Sequence, residues 1–380
     1  MIYAQWLHSI EGVGAAACRK MTDAGLRAQD VYRMNGIQLH ACGIFTDRQI
    51  DAILKHHEKD PQAEWEKLSE AGIRFLTLEE GDYPGRLRRI RDAPYGLYLI
   101  GKLPDERRLS AAVVGARECT TYGAAVSKKI GKELSESGVT VVSGMARGID
   151  GCAHRGALSD GGDTFAVLGC GIDTCYPTTN RDLYHDIPLH GGIFSEFPPG
   201  VQPLPIYFPM RNRIISGLSD CVVVVEARKK SGSLITAELA MEQGRDVYAV
   251  PGPIDSSLSY GCHHLIHQGA GIWVSTAEFL HDKSLDFAGY TKNETVRMLE
   301  KSEGIVYSAI VLLPKSIEEI KQETGTDSRQ LMKILLDLQI KGLIAEIGKG
   351  RYIRLHVTDP EEDEEEGEEG EANGCVSGDC

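Results

Sequence analysis

The sequence predicts an α/β chain built around a parallel sheet, and three observations carry that expectation. Six apolar runs of strand length, at 111–114, 139–143, 165–168, 192–195, 221–226 and 247–250, are hydrophobic throughout instead of alternating. Helical patterns at 122–137, 148–158, 181–187, 209–218 and 234–243 separate them, and glycine marks the junctions. Strands with no polar face are covered on both sides, and strand–helix–strand alternation closes by right-handed crossovers, so these runs form one sheet wrapped by helices.

Taken in chain order, residues 1–62 come first, with helical spacing in short pieces broken at Gly12, Gly14, Gly25, Gly36 and Gly43. A small helical domain of the SAM or helix-hairpin-helix kind is expected there. The run Ile10-Glu-Gly-Val-Gly-Ala-Ala has the shape of a Gly-x-Gly turn, although a plain turn explains it more simply. Residues 63–285 hold the strand runs and form an extended Rossmann-like domain. Residues 286–357 change texture again. Helices are expected at 303–313, 316–324 and 328–341, the second opened by a capping box of Ser316 and Glu319, and a hairpin follows around Gly348-Lys-Gly350. Three helices and a two-stranded wing make a winged-helix domain. Its third helix balances Arg329, Lys333 and Lys341 against Asp327 and Asp337, so DNA and protein both stay open as its ligand. Residues 358–380 are too acidic and too poor in apolar side chains to fold, and are expected to be disordered.

Net charge is -14, but it is unevenly spread. From Asp359 onward there are eleven acids and no Lys or Arg, which leaves 44 acids against 41 bases, or -3, for residues 1–358. A polyanion can therefore bind only at a local basic patch. The ten cysteines show no C-x-x-C pair, which argues against a zinc site and a disulfide framework. No apolar run is long enough to span a membrane, and the start of the chain is broken by Glu11, Arg19 and Lys20, so no membrane association is expected and the cytoplasm is the expected location.

Ligands of open α/β sheets sit beyond the carboxyl ends of the strands, so the residues following each strand are where binding chemistry is expected. After the first comes Gly115-Ala-Arg117, then Tyr122-Gly123 at a helix start, an arrangement suited to a phosphate. It is neither a dinucleotide fingerprint nor a Walker loop, since Arg117 stands where a glycine is needed and no G-K-[ST] occurs. After the second come Ser143-Gly144 and Arg147-Gly148, a second such turn. Asp150 and His154 are spaced as an acid/base pair, but a loop anchor and a wall residue are the simpler roles. The third strand leads to Asp173, Tyr176 and Asn180-Arg181, loop-fixing residues beside a ring on which a base can lie. Phe208-Pro-Met-Arg211-Asn212-Arg213 sets an aromatic ring beside two arginines, which are read as phosphate donors or, alternatively, as partners of Glu196 or Glu226. Ser231-Gly232-Ser233 and Thr236 open another helix behind Lys229 and Lys230, while Glu226 is read as fixing a loop. No nucleophile elbow, H-E-x-x-H or acidic metal cluster is found, and no cofactor is expected.

Together, Gly115-x-Arg117 with Tyr122-Gly123, the run from Ser143 to His154, the run from Ala166 to Pro177, Phe208 to Arg213, Ser231-Gly-Ser-x-x-Thr236, and Gly244 to Gly252 resemble the DNA-processing protein A (DprA/Smf) family, over roughly residues 66 to 275. The resemblance implies a cytoplasmic, non-enzymatic protein that binds single-stranded DNA, dimerises through its Rossmann domain, protects incoming strands and loads the recombinase RecA in natural transformation. It also implies strand contacts at Gly115, Arg117, Arg147, Gly148, Asn180, Phe208, Arg211, Asn212 and Ser233. Glu118 and Cys119 depart from the lysine and serine of many relatives, and the acidic tail is outside the family pattern. The rival readings are a nucleotide-processing hydrolase on a related fold and a protein-recruiting module without DNA binding. Against the first, Pro251-Gly252 continues as Pro253-Ile254 and not as the P-G-G-x-G-T-x-x-E string of ribohydrolases.

Overall fold

The computed structural model describes residues 1–283, 301–310, 315–340, 343–346 and 350–354. The acidic tail, Lys341 and the turn at Gly348 and Lys349 lie outside them. The chain divides into two compact units, residues 1–287 and 288–380.

In the first unit six helices lead the chain: α1 (Ile2–His8), α2 (Ala15–Asp23), α3 (Ala28–Arg33), α4 (Gly36–Ala41), α5 (Asp47–His56) and α6 (Pro61–Glu70). Local chemistry sets their starts. Asn35 with Gln38 and Thr46 with Gln49 form reciprocal capping boxes, and Pro61 fills the first position of α6 behind the Asp60 cap. Trp6, Leu7, Met21, Leu39, Ile50 and Ile53 form the core of this group, closed by Tyr95 from the strand region. Helix α6 runs across position 62, where composition divides the helical part from the sheet.

The strands are β1 (Arg74–Thr77), β2 (Gly96–Gly101), β3 (Ser110–Val114), β4 (Thr140–Ser143), β5 (Thr164–Leu168), β6 (Gly192–Ser195), β7 (Cys221–Val224), β8 (Asp246–Ala249) and β9 (Gly271–Ile272). They form one nine-stranded sheet in the order β1-β2-β6-β5-β4-β3-β7-β8-β9. From β6 to β9 every pairing is parallel, while β1 and β2 add an antiparallel edge absent from the sequence reading. The helices between them are α7 (Gly85–Arg88), α8 (Thr121–Glu136), α9 (Ile149–Leu158), α10 (Arg181–His190), α11 (Tyr207–Gly217), α12 (Gly232–Glu242), α13 (Tyr260–His267) and α14 (Thr276–Asp282). Alternate residues of β3 face opposite layers: Ala112 and Val114 pack with α11, α12 and α13, whereas Ala111 and Val113 pack with α8, α9 and α14. Two covered faces are the reason the middles of β3, β4 and β5 are apolar, with Ser and Thr only at their ends.

The second unit contains α15 (Lys301–Ala309), α16 (Ile317–Thr324) and α17 (Ser328–Ile340), with β10 (Lys315–Ser316), β11 (Ile344–Glu346) and β12 (Arg351–Arg354) in an antiparallel sheet of order β10-β12-β11. Ser316 and Glu319 form the expected capping box of α16. Val306, Ile320, Leu331, Leu335 and Leu338 make its core.

Two buried histidines tie this fold to pH. His154 Nδ1 lies 2.7 Å from Thr164 Oγ1, whose own hydroxyl donates to the Val141 carbonyl, so the ring must donate from Nδ1, and Nε2 is left buried without a partner. Burial, helped by Arg155 and Arg211, pushes its pKa down to about 3. His8 donates from Nε2 to the Glu196 carbonyl (2.7 Å), with Nδ1 unpartnered, and burial lowers it too, against the opposing pull of Glu196. A base whose folded pKa lies below its unfolded value stabilises the fold above the unfolded pKa and loses that contribution as pH falls. Stability should therefore drop between 6.5 and about 3, with His154 alone contributing up to roughly 1.4 kcal/mol per pH unit. Urea melts at several pH values check this; His154→Asn, which keeps a donor for Thr164 but does not titrate, should flatten the slope, and an unchanged slope refutes the assignment.

Candidate nucleic-acid interface

The connections leaving β3, β4, β5 and β7 meet at the carboxyl rim of the sheet. The loop after β4 is the most tightly held. Ser143 Oγ donates to the Val113 carbonyl (2.6 Å), and the Gly144 amide donates to Asp150 Oδ2 (3.1 Å). Asn180 Nδ2 donates to the carbonyls of Met145 and Ala146, both at 3.0 Å, and its Oδ1 accepts from Arg155. Gly148 has φ +74°, and a Cβ there would collide with the carbonyls of Ala116 and Arg117, so only glycine lets the loops after β3 and β4 touch.

Arg211, expected to reach a phosphate, is turned inward as a strut beneath this rim while still lining the hollow above it. It is 4% exposed and its Nη1 donates to the carbonyls of Gly144 (2.7 Å) and Val167. Its Nε is buried with no partner. Burial lowers its pKa to about 10, leaving it charged at neutral pH, and the neighbouring Asp150 opposes that shift. Burial likewise raises Asp150, while Arg211 and the amides of Gly144, Ala146 and Gly115 pull it back. Asp150 is thus a loop anchor and His154 a wall residue; neither is arranged as an acid or base.

Arg213 takes the internal pairing that was the alternative reading. Its guanidinium lies 2.8 Å from Glu196 and 3.2 Å from Asp92 with 12% of the side chain exposed, so it is a structural ion pair. Gly123, read as part of an open anion cradle, faces the carboxylate of Glu226 at the start of α8, and Thr120 donates to that same carboxylate. Buried Asn212 donates from Nδ2 to the Gly232 carbonyl (3.1 Å), a tie to α12 and not an outward donor.

What remains outward is a small hollow rimmed by Arg117, Ala146, Arg147, Gly169, Tyr176 and Phe208, with Arg211 in its floor. Arg117 is exposed and places its guanidinium 4.9 Å from the Phe208 ring centre. Phe208 in turn lies 5.5 Å from Tyr176 at a tilt of 36°. Exposed Arg147 has no described ion-pair partner. Other expected residues stand apart from the hollow. The Tyr122 hydroxyl donates to the Pro251 carbonyl (3.3 Å), exposed Arg181 begins α10, and Gly115 packs under Ile149. Ser231 and Ser233 share a hydroxyl contact (2.8 Å) at the start of α12, where Ser233 and Thr236 are buried and Gly232 is exposed. Among the described residues no three His, Cys, Asp or Glu side chains gather as a metal site, and no helix is long and apolar enough to cross a membrane.

Fold and rim together define a Rossmann-type α/β protein with arginines and aromatic rings gathered at the strand ends. The family model described as DNA recombination-mediator protein A matches residues 74–284, and the chain belongs to that family, whose members are recombination mediators and not enzymes. The DNA processing protein DprA of Streptococcus pneumoniae is 48% identical over 205 residues, covering 54% of this chain and 72% of the relative. The protein Smf of Escherichia coli is 35% identical over 357 residues, covering 89% and 94%. The crystal structure of the Streptococcus pneumoniae protein matches with a TM-score of 0.63 at 37% identity, covering 74% of this chain and 98% of that one. DNA processing protein A of Helicobacter pylori, solved for its single-stranded DNA binding mode, matches with a TM-score of 0.50 at 30% identity, over 56% and 97%.

Arg211→Ala should lower stability by about 3 kcal/mol, since it strips buried carbonyls and Asp150 of their cationic neighbour. Urea denaturation measures this; a variant as stable as the wild type would show that the arginine is not structural.

Proposed function

We propose that the chain binds single-stranded DNA at the strand-end rim as a recombination mediator, protecting incoming strands and loading RecA recombinase in natural transformation. One observation carries this reading: Arg117 and Arg147 are exposed beside Phe208 and Tyr176, which pairs phosphate donors with base-stacking surfaces on one edge. Tyr176 is 41% exposed, whereas Phe208 lies between Arg117 and Tyr176, so we assign the outer stacking surface to Tyr176. The loop of exposed Arg228, Lys229 and Lys230 before Gly232, together with Ser231, extends the track to a further phosphate. Arginines and rings of this kind hold a backbone and leave sequence unread. The Helicobacter pylori relative supports the ligand, and the relatives named DNA processing protein support the process.

Around this core we place a helical domain at 1–62, the strand-binding domain at 63–285, a winged helix at 286–357 and a tail at 358–380, in a cytoplasmic homodimer joined through the sheet domain. The winged helix is assigned to a protein partner. The outer face of α17 carries Met332, Leu336 and Ile340, exposed by 50%, 57% and 76%, where a groove reader would need polar groups.

Titration of labelled oligo-dT by fluorescence anisotropy tests the site. Arg117→Ala and Arg147→Ala should each weaken binding by roughly 1–3 kcal/mol and flatten the dependence on salt by about one unit. Tyr176→Ala should weaken it by about 1–3 kcal/mol with little change in that dependence. Unchanged affinity in both arginine variants overturns the site.

A further inference from the structure

In a doubly wound sheet the nucleotide crevice opens where successive connections depart to opposite faces, and a phosphate there binds the amides of the first helix. Here that position lies between β3 and β7, which are neighbours in the sheet: α8 leaves β3 for one face and α12 leaves β7 for the other. The start of α8 is already filled. Glu226, two residues beyond β7 and 5% exposed, takes the Thr120 amide on Oε2 (2.9 Å) and the Thr120 hydroxyl on Oε1 (2.5 Å). Its carboxylate also presses on Gly123, where any Cβ would strike it, and the Gly123 amide is spent on Thr120 Oγ1 (3.0 Å). The first turn of α8 carries no acid of its own. The negative charge that a helix start attracts therefore comes from a residue 106 positions away, across the crevice.

We infer that Glu226 is a specificity residue, an internal stand-in for phosphate that bars mononucleotides and free phosphate from the crevice and leaves only the outer rim of Arg117 and Arg147 for a polynucleotide. This rests on the binding reading above and refines its substrate class. A phosphate entering the crevice would meet a buried carboxylate and find the leading donors taken. The phosphates of a strand crossing the rim meet neither obstacle.

Isothermal titration of the full chain with AMP and with inorganic phosphate tests the inference, with oligo-dT titrated in parallel. Wild type should bind neither small anion. Glu226→Ala should bind both, at least roughly tenfold more tightly than the detection limit at which wild type shows no binding, the scale of a partly buried anion at a helix terminus, and keep its oligo-dT affinity. Glu226→Gln retains the shape without the charge and carries the test if the alanine variant does not fold; it should show a smaller gain. AMP binding by wild type as strong as by the variants, or no gain in either variant, overturns the role of Glu226. Loss of oligo-dT binding by the wild type itself would instead strike the binding reading, so the two failures are distinguishable.

Discussion

A single guanidinium beneath the strand ends organises the rim. Arg211 reaches up from α11 to hold the carbonyls that end β4 and β5, and it does so in the company of Asp150, which holds the Gly144 amide from the other side. Two opposite charges buried near each other are favourable only if their remaining hydrogen-bonding positions are used; loop carbonyls take Arg211 Nη1 and the Gly144 amide takes Asp150, while Arg211 Nε stays without a partner. The loop from 143 to 148 is thereby fixed, and with it the placement of Arg147 and of the Asn180 anchor. Loops shaped in this way need no ligand to order them.

Much of the sheet could be read from the chain, because a strand covered on two faces has no polar residue to spare; β3, β4, β5 and β7 lie within a residue or two of their expected starts. The antiparallel edge escaped for the opposite reason. Strand β1 is four residues long and starts with exposed Arg74, so its pattern resembles any short loop. Arg211 was the instructive case. Beside Phe208 it reads as a phosphate donor, yet it stands three and four residues before Ile214 and Ile215, both buried, on the inner face of α11. Helical spacing carried that signal, whereas the neighbouring Phe208 in the string Phe-Pro-Met-Arg-Asn-Arg concealed it. The pairing of Arg213 with Glu196 is one that the sequence allows; the meeting of Glu226 with Thr120 depends on two distant loops, and nothing local announces it.

The charge distribution follows the same logic. Residues 1–358 are nearly neutral, and many of their arginines are consumed internally: Arg86 with Asp220, Arg155 with Asp182, Arg213 with Glu196. An exposed arginine without an acid beside it is thus a local feature, felt within about a Debye length of ~8–10 Å, and not part of a broad positive field. Attraction of a polyanion to such a surface depends on where the chain is threaded.

Arg117 rests over Phe208, and for the strand contact proposed above that posture has a thermodynamic consequence. A long, many-rotamer side chain ordinarily surrenders its freedom when a partner arrives, which subtracts about 0.5–1.5 kcal/mol from association. Here part of that restriction is imposed during folding, by the attraction between a cation and an aromatic face. The arm is pre-set, so binding at the proposed site would lean more on enthalpy already in position and less on a search among conformers.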